Sequence, residues 1–130
     1  MKNETIIIVL PLPNKVLSPN FIVGSIGGRI MKASASGKYR RLAKEVVEAE
    51  KIESLPWKKI KVSADFHYKT KRKRDQDNAM GSLKAVYDGI VDAGIVEDDD
   101  YEHMERGIPK FHDNSRKVCP MVILTIERLE

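Results

Sequence analysis

The chain is short of the residues on which several common chemistries depend. It has one cysteine, Cys119, so no internal disulfide is possible, and a reducing compartment is the expected setting. Cys119 lies in an apolar stretch near the end and is expected to be a small core residue rather than a nucleophile. No apolar run is long enough to span a membrane: the longest, from Ile6 to Leu12, is broken by Pro11. The first residues lack the basic, apolar and small-residue order of a secretory signal, which favours the cytoplasm. The three histidines, His67, His103 and His112, have no zinc-ligand spacing, and a single cysteine cannot complete a zinc site. A phosphate-cradling G-x-x-x-x-G-K-[ST] loop is absent. An EF-hand loop begun at Asp75 fails, because Met80 falls where glycine is needed and Val86 where the closing glutamate is needed. A Ser-His-Asp arrangement stays open, with no particular serine indicated.

Basic residues are scarce in one half only. Residues 1–74 carry 17 Lys and Arg against 6 Asp and Glu, whereas residues 75–130 carry 6 against 13. The sign changes within Lys69–Met80, "KTKRKRDQDNAM", where five cations in six residues run directly into Asp75 and Asp77. A basic half is suited to an anionic partner, most often nucleic acid, although a solvated surface has the same composition. The acidic second half argues against simple coating of a polyanion.

With 130 residues, 42% hydrophobic and 32% charged, the chain suits one globular domain with a real core. Thr5 to Leu10 is β-branched and apolar and reads as a buried strand. The "PLPNKVLSPN" that follows cannot continue a strand or a helix, and Gly24, Gly27 and Gly28 extend the loop to about Met31. A helix is expected from Ser36, its N-cap, and ends before Pro56. Its early cations, Lys38, Arg40, Arg41 and Lys44, precede its glutamates. That order opposes the helix dipole and favours a ligand-facing role for Lys38 and Arg41. Ile60 to Tyr68 alternates as a half-buried strand. If the chain stays extended beyond Lys69, Asp75 and Asp77 share a face.

A second helix is expected over residues 78–93, with Asp77 as N-cap and Gly94 as its stop. An extended segment over residues 102–111, "HDNS" turn chemistry, and a strand over residues 118–126 buried on both faces complete the chain. The order β-α-β-α-β-β defines an α+β domain: a small mixed sheet with two main helices in two layers.

Two acidic clusters, Asp75/Asp77 and Asp98/Asp99/Asp100, flank the second helix. They meet only if the chain doubles back after Gly94. If they do, repulsion between the carboxylates is relieved by a divalent cation, and oxygen-only ligands favour Mg2+ or Mn2+. Such an ion activates water and stabilises charge on a phosphate. The acidic triplet alone reads as solvated surface. Lys84, seven residues beyond Asp77, lies on nearly the same helical face and is placed to act on a phosphate. Spacing alone favours an ordinary helix-surface lysine in an i,i+4 pair with Asp88.

The stretch "RDQDN…LKAVYDGIVDAGIVEDDD" resembles the RusA family of Holliday junction resolvases. The shared pattern is Asp75-x-Asp77-Asn78, then Lys84, Asp88, Ala93-Gly94 and the pair Asp98-Asp99. "LSPN" and "KYRRLAKEV" are similar to the family's opening. The lysine stands about three residues further from Asp-x-Asp than in the family's shorter members, close to one helical turn. The resemblance implies a small homodimer that cleaves four-way DNA junctions with Mg2+ or Mn2+ and needs no small-molecule cofactor. It implies Asp75, Asp77 and Asp99 as metal ligands and Lys84 as the catalytic lysine. Lys69, Lys71, Arg72, Lys73, Arg74, Lys38 and Arg41 are the expected DNA contacts. Two other readings stay open: a branched-DNA-binding protein without catalysis, and a nuclease acting on forks, flaps or RNA.

Overall fold

A computed structural model describes residues 4–21, 23–113 and 119–130. The elements, in order, are β1 (Thr5–Leu10), a 3-10 turn (Lys15–Leu17), α1 (Ile26–Glu48), β2 (Ile60–His67), α2 (Gln76–Ser82), α3 (Lys84–Asp92), β3 (Met104–Arg106), β4 (Lys110–His112) and β5 (Met121–Arg128). The fold is α+β, with a five-stranded mixed sheet. β5 pairs antiparallel with both β1 and β2, and the other edge of β2 takes β3 and β4 in parallel.

Register explains which face is buried. Ile6, Ile126 and Val62 lie in one row across the sheet, Ile8, Leu124 and Ala64 in the next, and Leu10, Val122 and Phe66 in a third. All nine are buried and join one core with Tyr39, Ala43 and Val47 of α1 and Val86, Tyr87 and Ile90 of α3. Each fully buried aliphatic side chain contributes about 1.5–3 kcal/mol, so these three rows dominate the sheet's hold on the helices. The alternation expected for β2 is present, with Ile60, Val62, Ala64 and Phe66 inward.

Several expectations are corrected. β1 and β5 are buried on one face only: Ile7 is 60% and Val9 53% exposed, and β5 alternates in burial. β5 starts at Met121; Val118, where a strand was expected to begin, lies outside the described residues, as do Asn114 and Ser115 of the expected turn. Cys119 is exposed, not in the core.

Helix α1 begins ten residues before Ser36. Ser25 is its N-cap, its hydroxyl accepting from the Gly28 N–H at 3.0 Å, so Gly27 and Gly28 form the first turn rather than a loop. Lys38, Arg41 and Lys44 therefore lie mid-helix, too far from either end for the dipole argument to apply.

The second helix is broken. Leu83 sits at φ −94°, ψ 5° between α2 and α3. Its N–H donates to Met80 O at 3.1 Å, one residue short of an α-helical bond. The break follows a Gly81–Ser82 pair, a frequent cause of kinks, and the Ser82 hydroxyl donates to the Ala79 carbonyl at 2.6 Å. Gly81 also lies so close to Pro19 that a Cβ would stand 2.4 Å from its Cγ. Gly94, at φ +83°, ends the helical region as expected. Among the described residues, no helix is long and apolar enough to cross a membrane.

Candidate functional site

The basic run leaves the end of β2 and enters α2 at Asp75. Asp75, not Asp77, is the N-cap: its Oδ1 accepts from the Asp77 N–H at 2.8 Å. Asp77 stands in the first turn, where its charge suits the helix dipole. Both side chains are exposed. Because Asp77 is helical, the two do not share a face as neighbours in an extended chain would, and Asp77 and Lys84 belong to two helices separated at Leu83 rather than to one continuous helix.

The chain does double back after Gly94. Asp99 reaches the start of α3, where its Oδ2 accepts from Lys84 Nζ in a short ion pair. Lys84 also donates to Asp88 Oδ1 at 3.0 Å, the i,i+4 pair expected from its spacing. Arg106 is the second cation on Asp99, its Nη2 standing 3.3 Å from Asp99 Oδ2 and donating to the Asp99 carbonyl at 3.2 Å. The hydrogen bond from Lys84 holds the Asp99 carboxyl below the ordinary carboxylate value, and the same bond raises the Lys84 ammonium.

The neighbours of Asp99 face elsewhere. Asp98 Oδ1 accepts from the Asp99 N–H at 2.7 Å. Asp100 Oδ1 accepts from the Glu102 and His103 N–H groups and pairs with His103 Nδ1 at 2.6 Å. That side-chain bond lowers the Asp100 carboxyl and raises the His103 imidazole. Two members of the triplet thus close the turn, and Asp99 faces Lys84.

Ser82 joins the two halves of the motif. A cavity of about 320 Å3 is lined by Lys15, Lys73, Arg74, Asp75, Asn78 and Ser82, among others. Ser82 also lines a larger cavity of about 590 Å3 beneath the first turns of α1, with Arg29, Lys32 and Lys84. The seven-residue helix between Asp75 and Lys84 is roughly 10 Å long.

All-oxygen donors suit Mg2+ or Mn2+ in chemistry. They are not gathered in space: among the described residues, no group of three or more His, Cys, Asp or Glu side chains is placed to hold a metal ion. Asp75 caps a helix, while Asp99 is engaged by two cations.

Of the expected DNA contacts, Lys73 and Arg74 line the cavity with Asp75, and Lys71, Arg72 and Arg74 line a neighbouring one with Tyr68. Lys69 is exposed at the start of the run. Lys38 lines a separate cavity with Pro11 and Leu12, and Arg41 is exposed on α1; neither lines a cavity containing Asp75 or Lys84. Sequence reasoning missed Arg29, Lys32 and Arg106. The first two recur with Ser36 at i, i+3 and i+7, a helical signal hidden by reading residues 24–31 as loop. Arg106 is on a separate strand, and no local pattern ties it to Asp99. No protein-family model matches the chain, and no curated protein matches it.

Proposed function

We propose that the chain is a Mg2+- or Mn2+-dependent endodeoxyribonuclease for branched DNA, a resolvase of four-way junctions that works as a homodimer in the bacterial cytoplasm. The observation that carries this reading is the Lys84–Asp99 ion pair. Two residues of the Asp-x-Asp…Lys…Asp-Asp pattern, far apart in sequence, are in contact, and Ser82 lines both the cavity that Lys84 borders and the one that Asp75 borders. The basic run Lys69–Arg74 holds phosphates as point charges and planar donors. Lys84 orients a phosphate at the head of α3, with Arg29 and Lys32 across the cavity. A bound divalent ion supplies charge neutralisation and an activated water. The reading requires Asp75, Asp77 and Asp99 to share that ion. A four-way junction has approximate two-fold symmetry, which a C2 dimer matches with two sites.

The test is cleavage of an end-labelled four-way junction with Mg2+ or with EDTA. Wild type cuts only with Mg2+, and Asp77→Asn abolishes cleavage while retaining junction binding. Full activity of Asp77→Asn overturns the assignment. Running junction, fork, flap and linear duplex side by side sets the substrate class.

One observation favours a second reading, a branched-DNA-binding protein without catalysis: Asp99 is neutralised by Lys84 and Arg106 instead of standing with other acids. Junction binding unchanged between Mg2+ and EDTA, with product in neither, selects it.

A further inference from the structure

Beside the basic run, the core's aromatic residues continue out to the surface. Phe66, buried in the core, lies 6.0 Å from Tyr68 at an interplanar angle of 11°. Phe111 of β4 packs against both, 5.9 Å from Phe66 and 6.1 Å from Tyr68. The Arg74 guanidinium carbon lies 3.4 Å from the Tyr68 ring centroid, in face contact, and Arg74 Nη2 donates to Thr70 O at 2.9 Å. The cation is thus held flat by a ring beneath it and a carbonyl at its edge. The strand carrying Phe111 is itself pinned: Tyr68 N–H donates to His112 O at 2.8 Å, His112 Nε2 lies 2.9 Å from Asp65 Oδ1, and the His112 ring stacks on His67 at 4.6 Å. These groups enclose a cavity of about 270 Å3 lined by Tyr68, Lys71, Arg72, Arg74, Phe111 and His112, with Asp113 as its acid.

From this we infer that the Tyr68–Arg74–Phe111 slot binds a single unstacked nucleobase of a DNA strand whose phosphates lie on Lys71 and Arg72. The inference rests on the nucleic-acid reading above and assigns it a further subsite. Cationic grooves with aromatic floors are the recurring means of holding single strands, because every base offers a π-face. Arg74 adds a planar cation already ordered for stacking, so little side-chain freedom is lost on binding. Bases inside an intact duplex have both faces covered by their neighbours. The slot therefore distinguishes opened strands, such as those at a junction centre, from continuous duplex. Arg74 and Tyr68 also line the cavity containing Asp75, which places the slot directly beside that residue.

The test uses a single-stranded oligonucleotide carrying 2-aminopurine and a linear duplex of the same sequence, both in EDTA so that nothing is cut. Wild type quenches the 2-aminopurine as the base stacks. Tyr68→Leu removes the ring, and Arg74→Lys keeps the charge but loses the plane. Each weakens single-strand affinity about 5- to 150-fold, the range for loss of one base–aromatic stack, and abolishes the quench. Tyr68→Leu leaves duplex affinity in place, and Arg74→Lys lowers it by less than it lowers single-strand affinity. Equal loss on both substrates, or none on either, overturns the slot. If Tyr68→Leu does not fold, Arg74→Lys on the surface decides alone. Junction cleavage by wild type with a silent Arg74→Lys removes the slot but not the nuclease. A wild type that binds no DNA of any form removes both.

Discussion

Replacing Gly89 with alanine drives a methyl group into the seam between α1 and α3. A Cβ there would stand 2.5 Å from the Arg40 carbonyl oxygen, 2.9 Å from the Ala43 Cβ and 3.2 Å from the Lys44 nitrogen. Ordinary contact begins at 3.4 Å, and two of the three obstacles are backbone, so no rotamer change relieves the overlap. The helices must part by roughly 1 Å, loosening Tyr39, Ala43 and Val47 from Val86 and Ile90; such overpacking costs about 3 kcal/mol, the upper end of the usual range. The glycine-to-alanine change returns about 1 kcal/mol of helix propensity. The net loss is about 2 kcal/mol, which lowers the melting temperature by roughly 6–10 °C for a chain of this size. Thermal unfolding followed by far-ultraviolet circular dichroism measures it. Gly37→Ala is the control: in α1, a Cβ there meets only the flexible end of Arg41 at 3.6 Å. That variant gains stability, by up to about 1 kcal/mol. A Gly89→Ala protein that melts at or above wild type refutes the close approach of the helices.

Two further predictions concern the surface and the turn. Arg40 Nε donates to Asp92 Oδ2 at 2.6 Å, and Arg40 Nη2 to Asp92 Oδ1 at 2.9 Å; this bond lowers the Asp92 carboxyl below its ordinary value near 3.8. A lowered carboxyl contributes stability that is present above the ordinary value and lost as pH falls through the folded one. Arg40→Met should therefore cost a few tenths to about 1 kcal/mol at neutral pH, as expected for an exposed pair. In denaturant titrations the gap from wild type should close below the folded Asp92 value; a gap that persists there assigns the loss to packing. Gly94→Ala forces a side chain into φ +83° and should cost about 1–2 kcal/mol by the same titration, and a neutral result would show that the turn relaxes.

The parts of the fold legible in the sequence are those where burial has a phase. β2 alternates because one face meets the helices and the other presents Lys61, Ser63, Asp65 and His67. β1 and β5 have the same one-sided burial, yet their outward positions include Ile7, Val9 and Ile123, so the apolar runs carry no phase and imitate strands buried on both sides. The start of α1 was hidden for another reason. Gly27 and Gly28 are punctuation in most contexts, and the serine that makes them a first turn acts through one hydrogen bond, Ser25 to Gly28, which spacing does not reveal. The division of α2 from α3 was equally hidden, since Gly81 is held against Pro19, a residue 62 positions earlier.

The candidate site divides along the same line. Gly94 was readable as a stop, and the return of the chain brings Asp99 to Lys84, a pairing that the acidic triplet alone could not assign. The resemblance alone singled out Asp99; in the structure Asp98 and Asp100 differ from it because each turns its carboxylate to nearby turn N–H groups and Asp99 does not. What spacing could not supply is the neutralisation of Asp99. Lys84 and Arg106 hold two positive charges against it, and Asp88 shares the lysine. A carboxylate so engaged is ordered and ionised, with its oxygens turned toward cations of the chain itself. A divalent ion at Asp99 must compete with both. The Lys84 ammonium, in turn, meets a phosphate only as its contact with Asp99 or Asp88 loosens. The two roles proposed for Lys84 and Asp99 are therefore coupled through one ion pair: whichever partner is engaged first determines what the other is free to bind.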